Sequence, residues 1–166
     1  EFGAGAYLPR PAESSWIRKA GDCKDMVGVL VGMLNAIGVE AYPVLVRPTD
    51  AGPFVEYYPS PSQFSHVIGL IRLPNNRDIW VDPTAKLGTL NALPGLLRGA
   101  SALIVDGKGG KVITIPSYMP SAFQVSQHTL ISENTKSQTR KAATRIELNG
   151  DAAGWARLYV RQLEKE

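Results

Sequence analysis

The segment from Cys23 to Ile37 constrains this chain more than any other. Its apolar residues are Met26, Val27, Val29, Leu30, Val31, Met33, Leu34 and Ile37, which lie nearly all the way round a 3.6-residue period. A helix without a polar face is ordinarily buried in the centre of a domain. The start and stop signals agree with that reading. Asp22 suits the N-cap, Asp25 suits the first turn and Gly38 suits the position after the last turn. Gly28 and Gly32 cost about 1 kcal/mol each in helix propensity. Four residues apart, they leave a smooth stripe where another element is expected to approach closely.

The rest of the chain supplies a sheet for this helix. Residues 1–15 are punctuated by Gly and Pro and read as extended surface chain, with Ser14 and Ser15 capping a short helical turn through Trp16 and Ile17. Strands are expected at 40–47, 64–73, 78–82, 102–105 and 111–115, with Pro74-Asn75-Asn76-Arg77 as a turn between the second and third. The Pro- and Tyr-rich connection from Pro48 to Gln63 is long for a compact domain, and such loops are often functional. Beyond Pro116 the composition shifts to Ser, Thr, Gln and Arg. There Ala142–Leu148 and Trp155–Val160 alternate like β-hairpin material. The expected architecture is α+β. Residues 1–116 form a core with a buried helix packed on an antiparallel sheet, and 117–166 form a hairpin tail or the start of a following β domain.

Composition excludes several functions. The chain has 166 residues, 44% of them hydrophobic, and a net charge of +3 with its basic residues scattered, which is no electrostatic footprint for nucleic acid. One Cys and two His without ligand-like spacing make a metal centre unsupported, and no cofactor is expected. No apolar run approaches the roughly 20 residues of a membrane span. Glu1-Phe2-Gly3-Ala4-Gly5 lacks the basic start and apolar core of a signal peptide, and the chain reads as a fragment opening in mid-fold.

Cys23 is the only cysteine. Free cysteines are often small buried hydrophobes, but this one opens a helix. There the unpaired N–H groups and the macrodipole favour an anion and lower a thiol pKa, and Lys24 adds positive charge. Of the two histidines, His128 lies in a polar tail, so His66 is the better base. Asp82 has an ordinary reading, as the residue before a proline that starts a turn. It also has a functional one, as the carboxylate that fixes the imidazole tautomer.

The hairpin between the second and third strands decides between these readings. A two-residue loop places Gly69 opposite Asp82 and puts Asp82 on the face away from His66. A three-residue loop, Pro74-Asn75-Asn76, places Leu73 opposite Arg77 and Ile68 opposite Asp82. His66 is then diagonal to Asp82 on one face, roughly 7 Å away and within side-chain reach. Catalysis by these residues requires the second register or a compensating bulge.

Gly21-Asp22-Cys23-Lys24-Asp25, the helix after it and Gly38-Val39-Glu40-Ala41 resemble the nucleophile segment of bacterial transglutaminase-like domains. Phe64-Ser65-His66-Val67 and Trp80-Val81-Asp82-Pro83-Thr84 are similar to the later His and Asp segments, in the same order. The form is especially like a subgroup found in larger envelope proteins, where the domain lies between β-rich domains. The resemblance covers about residues 1–116. It implies a papain-like fold, with Cys23 as nucleophile, His66 as general base and acid, and Asp82 orienting His66. It also implies thioacyl chemistry on an amide or ester of a protein or peptide substrate, in the periplasm or cell envelope; no clustered acidic loop in the sequence resembles a calcium site. Water and amine acceptors resolve the same thioester, so protease, amidase and transglutaminase all remain open. So does a non-catalytic module that binds protein or cell wall. The Cys23 N–H is a natural oxyanion donor; Trp16 is the side-chain candidate for a second, its other reading being a packed core tryptophan. Tyr57, Tyr58 and Phe64 either line the substrate cleft or pack on the sheet.

Overall fold

The computed structural model describes residues 8–58, 60–75, 77–85, 90, 92–110, 112–117 and 124–164. The opening Glu1–Tyr7 stretch, Asn76 of the turn and Lys111 of the last core strand, on which expectations fell, lie outside the described residues. The chain divides into two compact units, Glu1–Ser117 and Tyr118–Glu166.

The first unit opens with α1 (Ala12–Arg18) and α2 (Cys23–Ala36). Pro11, not a serine, occupies the N-cap of α1, and Ser15 lies inside the helix and is buried. Proline's fixed φ suits a helix start, so the helix begins before the serines expected to cap it. At α2 the Asp22 carboxylate accepts from the Lys24 and Asp25 N–H groups. The Asp25 carboxylate accepts from the Asp22 N–H in return, closing a capping box. Gly38, at φ +80, takes the left-handed conformation that ends the helix.

Five strands follow: β1 (Ala41–Arg47), β2 (His66–Leu73), β3 (Arg77–Val81), β4 (Ser101–Ile104) and β5 (Val112–Thr114). They form one antiparallel sheet in the order β3-β2-β1-β4-β5. Helix and antiparallel sheet in one unit make the architecture α+β. Period-2 alternation carries Val44, Val46, Ile68, Leu70, Trp80 and Ala102 to one face. None of them is more than 4% exposed, so this face forms the core. On the opposite face α2 packs closely. Leu30 Cδ2 lies 3.1 Å from where a Cβ on Gly69 would stand, so the missing side chain lets helix and strand meet.

Two expectations about α2 are corrected. Only Asp25 and Val27 are fully buried in it, while Met33 and Ile37 are 54% and 75% exposed. The sheet covers one side and α1 a second, and no described element covers the third. Gly28 and Gly32 face open space, with no atom within 4 Å of a Cβ at either. The glycine that permits close approach is on the strand.

The β2–β3 hairpin pairs Leu73 with Arg77 and Gly69 with Val81, the register of a three-residue loop. Asn75 takes φ 74, a left-handed conformation that asparagine tolerates. The long connection before β2 is organised by two short 3-10 turns, Thr49–Ala51 and Pro61–Gln63. Buried Gln63 accepts from the Val55 N–H and donates to the Val55 and Tyr58 carbonyls. Arg47 donates to the Gly52, Gln63 and Ala51 carbonyls. The chain entering His66 is therefore held on both sides.

The second unit contains a two-stranded hairpin, β6 (Val125–Asn134) and β7 (Thr139–Leu148), and a helix, α3 (Asp151–Leu163). The strand expected at Trp155–Val160 is helical. Its window is too short for alternation to be decisive. Within and around it, Ala152, Ala153, Ala156, Arg157, Leu158 and Gln162 are strong helix formers. No helix among the described residues is long and apolar enough to cross a membrane.

Candidate active site

Three elements converge on one point. Cys23 is the first residue of α2, His66 the first of β2, and Asp82 follows the last of β3. The register that pairs Gly69 with Val81 puts Asp82 opposite Ile68, on the face that also carries His66. The two side chains meet there. The His66 Nε2 lies 2.9 Å from Asp82 Oδ2. With the carboxylate ionised, Nε2–H donates, which leaves Nδ1 for the thiol.

The carboxylate is itself fixed. Asp82 Oδ1 accepts from the Thr84 N–H at 2.9 Å and from the Thr84 hydroxyl at 2.6 Å. Its side chain is 4% exposed, against 21% for His66. Burial opposes ionisation of Asp82. The His66 and Thr84 hydrogen bonds outweigh it, and the net shift is downward. His66 moves the other way, up to about 9, through the hydrogen bonds to Asp82 and then Cys23, with burial resisting.

The Cys23 thiol is half-buried and held below its ordinary value. The hydrogen bond with His66 is the main cause, burial resists, and the Val67 N–H and the His66 charge assist. Asp22 acts to raise it. Lys24, whose charge was expected to help, spends its ammonium on the Asp22 carboxylate. A raised imidazole beside a lowered thiol favours the thiolate–imidazolium pair, the reactive form of a cysteine nucleophile.

An oxyanion donor is available at the same place. The Lys24 and Asp25 N–H groups are taken by Asp22, whereas no partner among the described residues takes the Cys23 N–H. A helix N-terminus adds its dipole to that free donor.

Trp16 is no core residue: it is 53% exposed, with the Lys19 ammonium 3.8 Å above its ring. It lines a cavity of about 330 Å³ together with Ser15, Lys19, Ala20, Gly21, Met26 and Val29. The other aromatic candidates are not part of that wall. Tyr57 and Tyr58 stand 92% and 61% exposed on the long connection. Phe64 lies against Phe54 with ring centroids 5.7 Å apart, a packing contact. His128 sits opposite Arg145 in the second unit's hairpin.

Several supporting residues escaped sequence reasoning. Thr84 stood in the motif, two residues after the aspartate, where a side chain that caps its own turn is common. Asp25 was read only as a first-turn acid. It is 1% exposed and accepts from the Arg10 N–H at 2.7 Å and from Arg10 Nη1 at 2.9 Å. No sequence pattern announced that clamp. Among the described residues no group of three or more His, Cys, Asp or Glu side chains is placed to hold a metal ion. Comparisons with protein-family models, curated proteins and solved structures gave no match.

Proposed function

We propose that the first unit is a thiol-dependent acyl-transfer enzyme acting on amide bonds of a protein or peptide. The observation that carries this reading is the His66–Asp82 hydrogen bond, on a histidine whose influence on Cys23 holds the thiol below its ordinary value. In this scheme the Cys23 thiolate attacks the carbonyl carbon, and the developing oxyanion is met by the Cys23 N–H. The His66 imidazolium gives its Nδ1 proton to the leaving amine as the C–N bond breaks, leaving a thioacyl enzyme. Neutral His66 then takes a proton from water or an acceptor amine as that nucleophile attacks the thioester, and Cys23 leaves as thiolate. Asp82 keeps Nε2–H oriented and stabilises the imidazolium throughout. The papain-like, transglutaminase-like reading of the fold belongs to the same proposal, supported by the order helix–His strand–Asp strand.

The test is to trap the intermediate. Incubation with an activated acyl donor such as a p-nitrophenyl ester, followed by intact-mass measurement, is expected to show one acyl group on Cys23. The adduct should be absent in Cys23→Ala and slowed at least a hundredfold in His66→Ala. An acylation rate no faster than that of free cysteine at the same pH would instead leave the site as a non-catalytic binding module.

A further inference from the structure

We infer that the cavity between α1 and α2 is the subsite that seats an apolar side chain of the acyl donor next to the scissile carbonyl. This rests on the proposed reading of Cys23 as nucleophile and deepens it. Gly21, two residues before Cys23, and Met26, one turn after it on a neighbouring face, both line the cavity. The segment that delivers the nucleophile therefore also forms a wall of the cavity. A volume of about 330 Å³ is at the small end of ligand sites, room for one side chain rather than a length of peptide.

The lining sets the chemistry. Trp16, Met26 and Val29 offer apolar surface, and Ser15, Ala20 and Gly21 are small enough to leave space. Gly21 has little freedom to be larger, since a Cβ there would stand 2.6 Å from Asp25 Cβ. At the rim, the Lys19 ammonium over the Trp16 ring repels a cationic side chain. The expected order of preference is leucine or phenylalanine, then glycine, then lysine.

The experiment uses the full chain and cysteine-directed probes that differ only in one side chain. These are the N-acetyl chloromethyl ketones of leucine, phenylalanine, glycine and lysine, with chloroacetamide reporting the thiol alone. Each rate is divided by the chloroacetamide rate for the same protein. The leucine and phenylalanine ratios are expected to exceed the glycine ratio at least tenfold, and the lysine ratio to fall below it. Ala20→Trp places a ring in the cavity from an exposed position, and Val29→Trp fills it from the other wall. Each should bring the leucine ratio to within about twofold of glycine. Equal ratios for all four probes, or a leucine preference that survives both fillings, would overturn the subsite. Failure of the catalytic reading has a separate signature: chloroacetamide alkylation indifferent to His66→Ala, whatever the side-chain preference.

Discussion

At the residue scale the site works as a relay of constraints. Thr84 fixes one oxygen of Asp82, the other oxygen fixes His66, and His66 sets the charge state of Cys23. Because the thiol is lowered chiefly by His66, the alkylation rate of Cys23 should stay high at pH 6.5, where an ordinary thiol is about 1% ionised. His66→Ala should lower the rate at pH 6.5 at least tenfold and change it little at pH 10. A profile identical to wild type would remove His66 from the relay. Thr84→Val, which deletes only the hydroxyl donor, should cost a few-fold at pH 6.5. Stability carries the same signature. In a Cys23→Ala background the thiol no longer titrates, and His66 remains raised through Asp82. Its contribution is then fully present below its ordinary value near 6.5 and lost as pH rises through its folded value. Asp82, being lowered, contributes above its ordinary value of 3.8 and loses that contribution as acid protonates it. Urea midpoints should therefore plateau between about pH 4 and 6.5 and decline on either side. Asp82→Asn should flatten both limbs.

At the scale of elements, the N-terminus of α2 is held from outside as well as capped from within. Asp25→Ala removes two charge-assisted hydrogen bonds to Arg10 and one arm of the capping box. It should destabilise the protein by about 3 kcal/mol, a figure kept low because Arg10 is 43% exposed. Gly21→Ala forces a Cβ against Asp25 and should cost about 1–3 kcal/mol, with slower alkylation of Cys23. Denaturant melts and chloroacetamide rates check both variants. What was legible in the sequence follows the same division between local and distant causes. The caps of α2 and the turn around Asn75 depend on a few neighbouring residues, so their chemistry could be read directly. That turn gave a definite test for His66 and Asp82, because register leaves only two choices of face. The burial of α2 depends on what packs against it, and apolar residues all round cannot say whether a cover exists. The alternation at Trp155–Val160 misled because helix and strand differ little over so short a window. The Arg10–Asp25 clamp joins residues that no pattern links.

For the whole molecule, the division after Ser117 makes opposite predictions for the two halves. The first unit has a fully buried sheet face and should unfold cooperatively when produced alone as residues 1–117, with His66-dependent alkylation retained. Circular dichroism melts and the rate assay test this, and a broad non-cooperative melt would refute it. The second unit exposes most of both hairpin strands and the α3 residues Trp155, Tyr159 and Leu163. A two-stranded hairpin with so little cover is marginal, so residues 118–166 alone should give amide spectra of an unfolded chain.

The sheet order has a consequence in time. β1 is central, yet only one of its neighbours, β2, comes soon after it in the chain. The other, β4, begins at Ser101, after every residue of the proposed catalytic triad has been made. As the chain leaves the ribosome, Cys23, His66 and Asp82 can come together on α2, β1, β2 and β3 before the sheet is completed. A thiol of this kind would then be poised before its domain is finished. Pulse-labelling of stalled nascent chains, extended far enough to clear the exit tunnel, would show whether Cys23 acquires its reactivity before β4 or only with it.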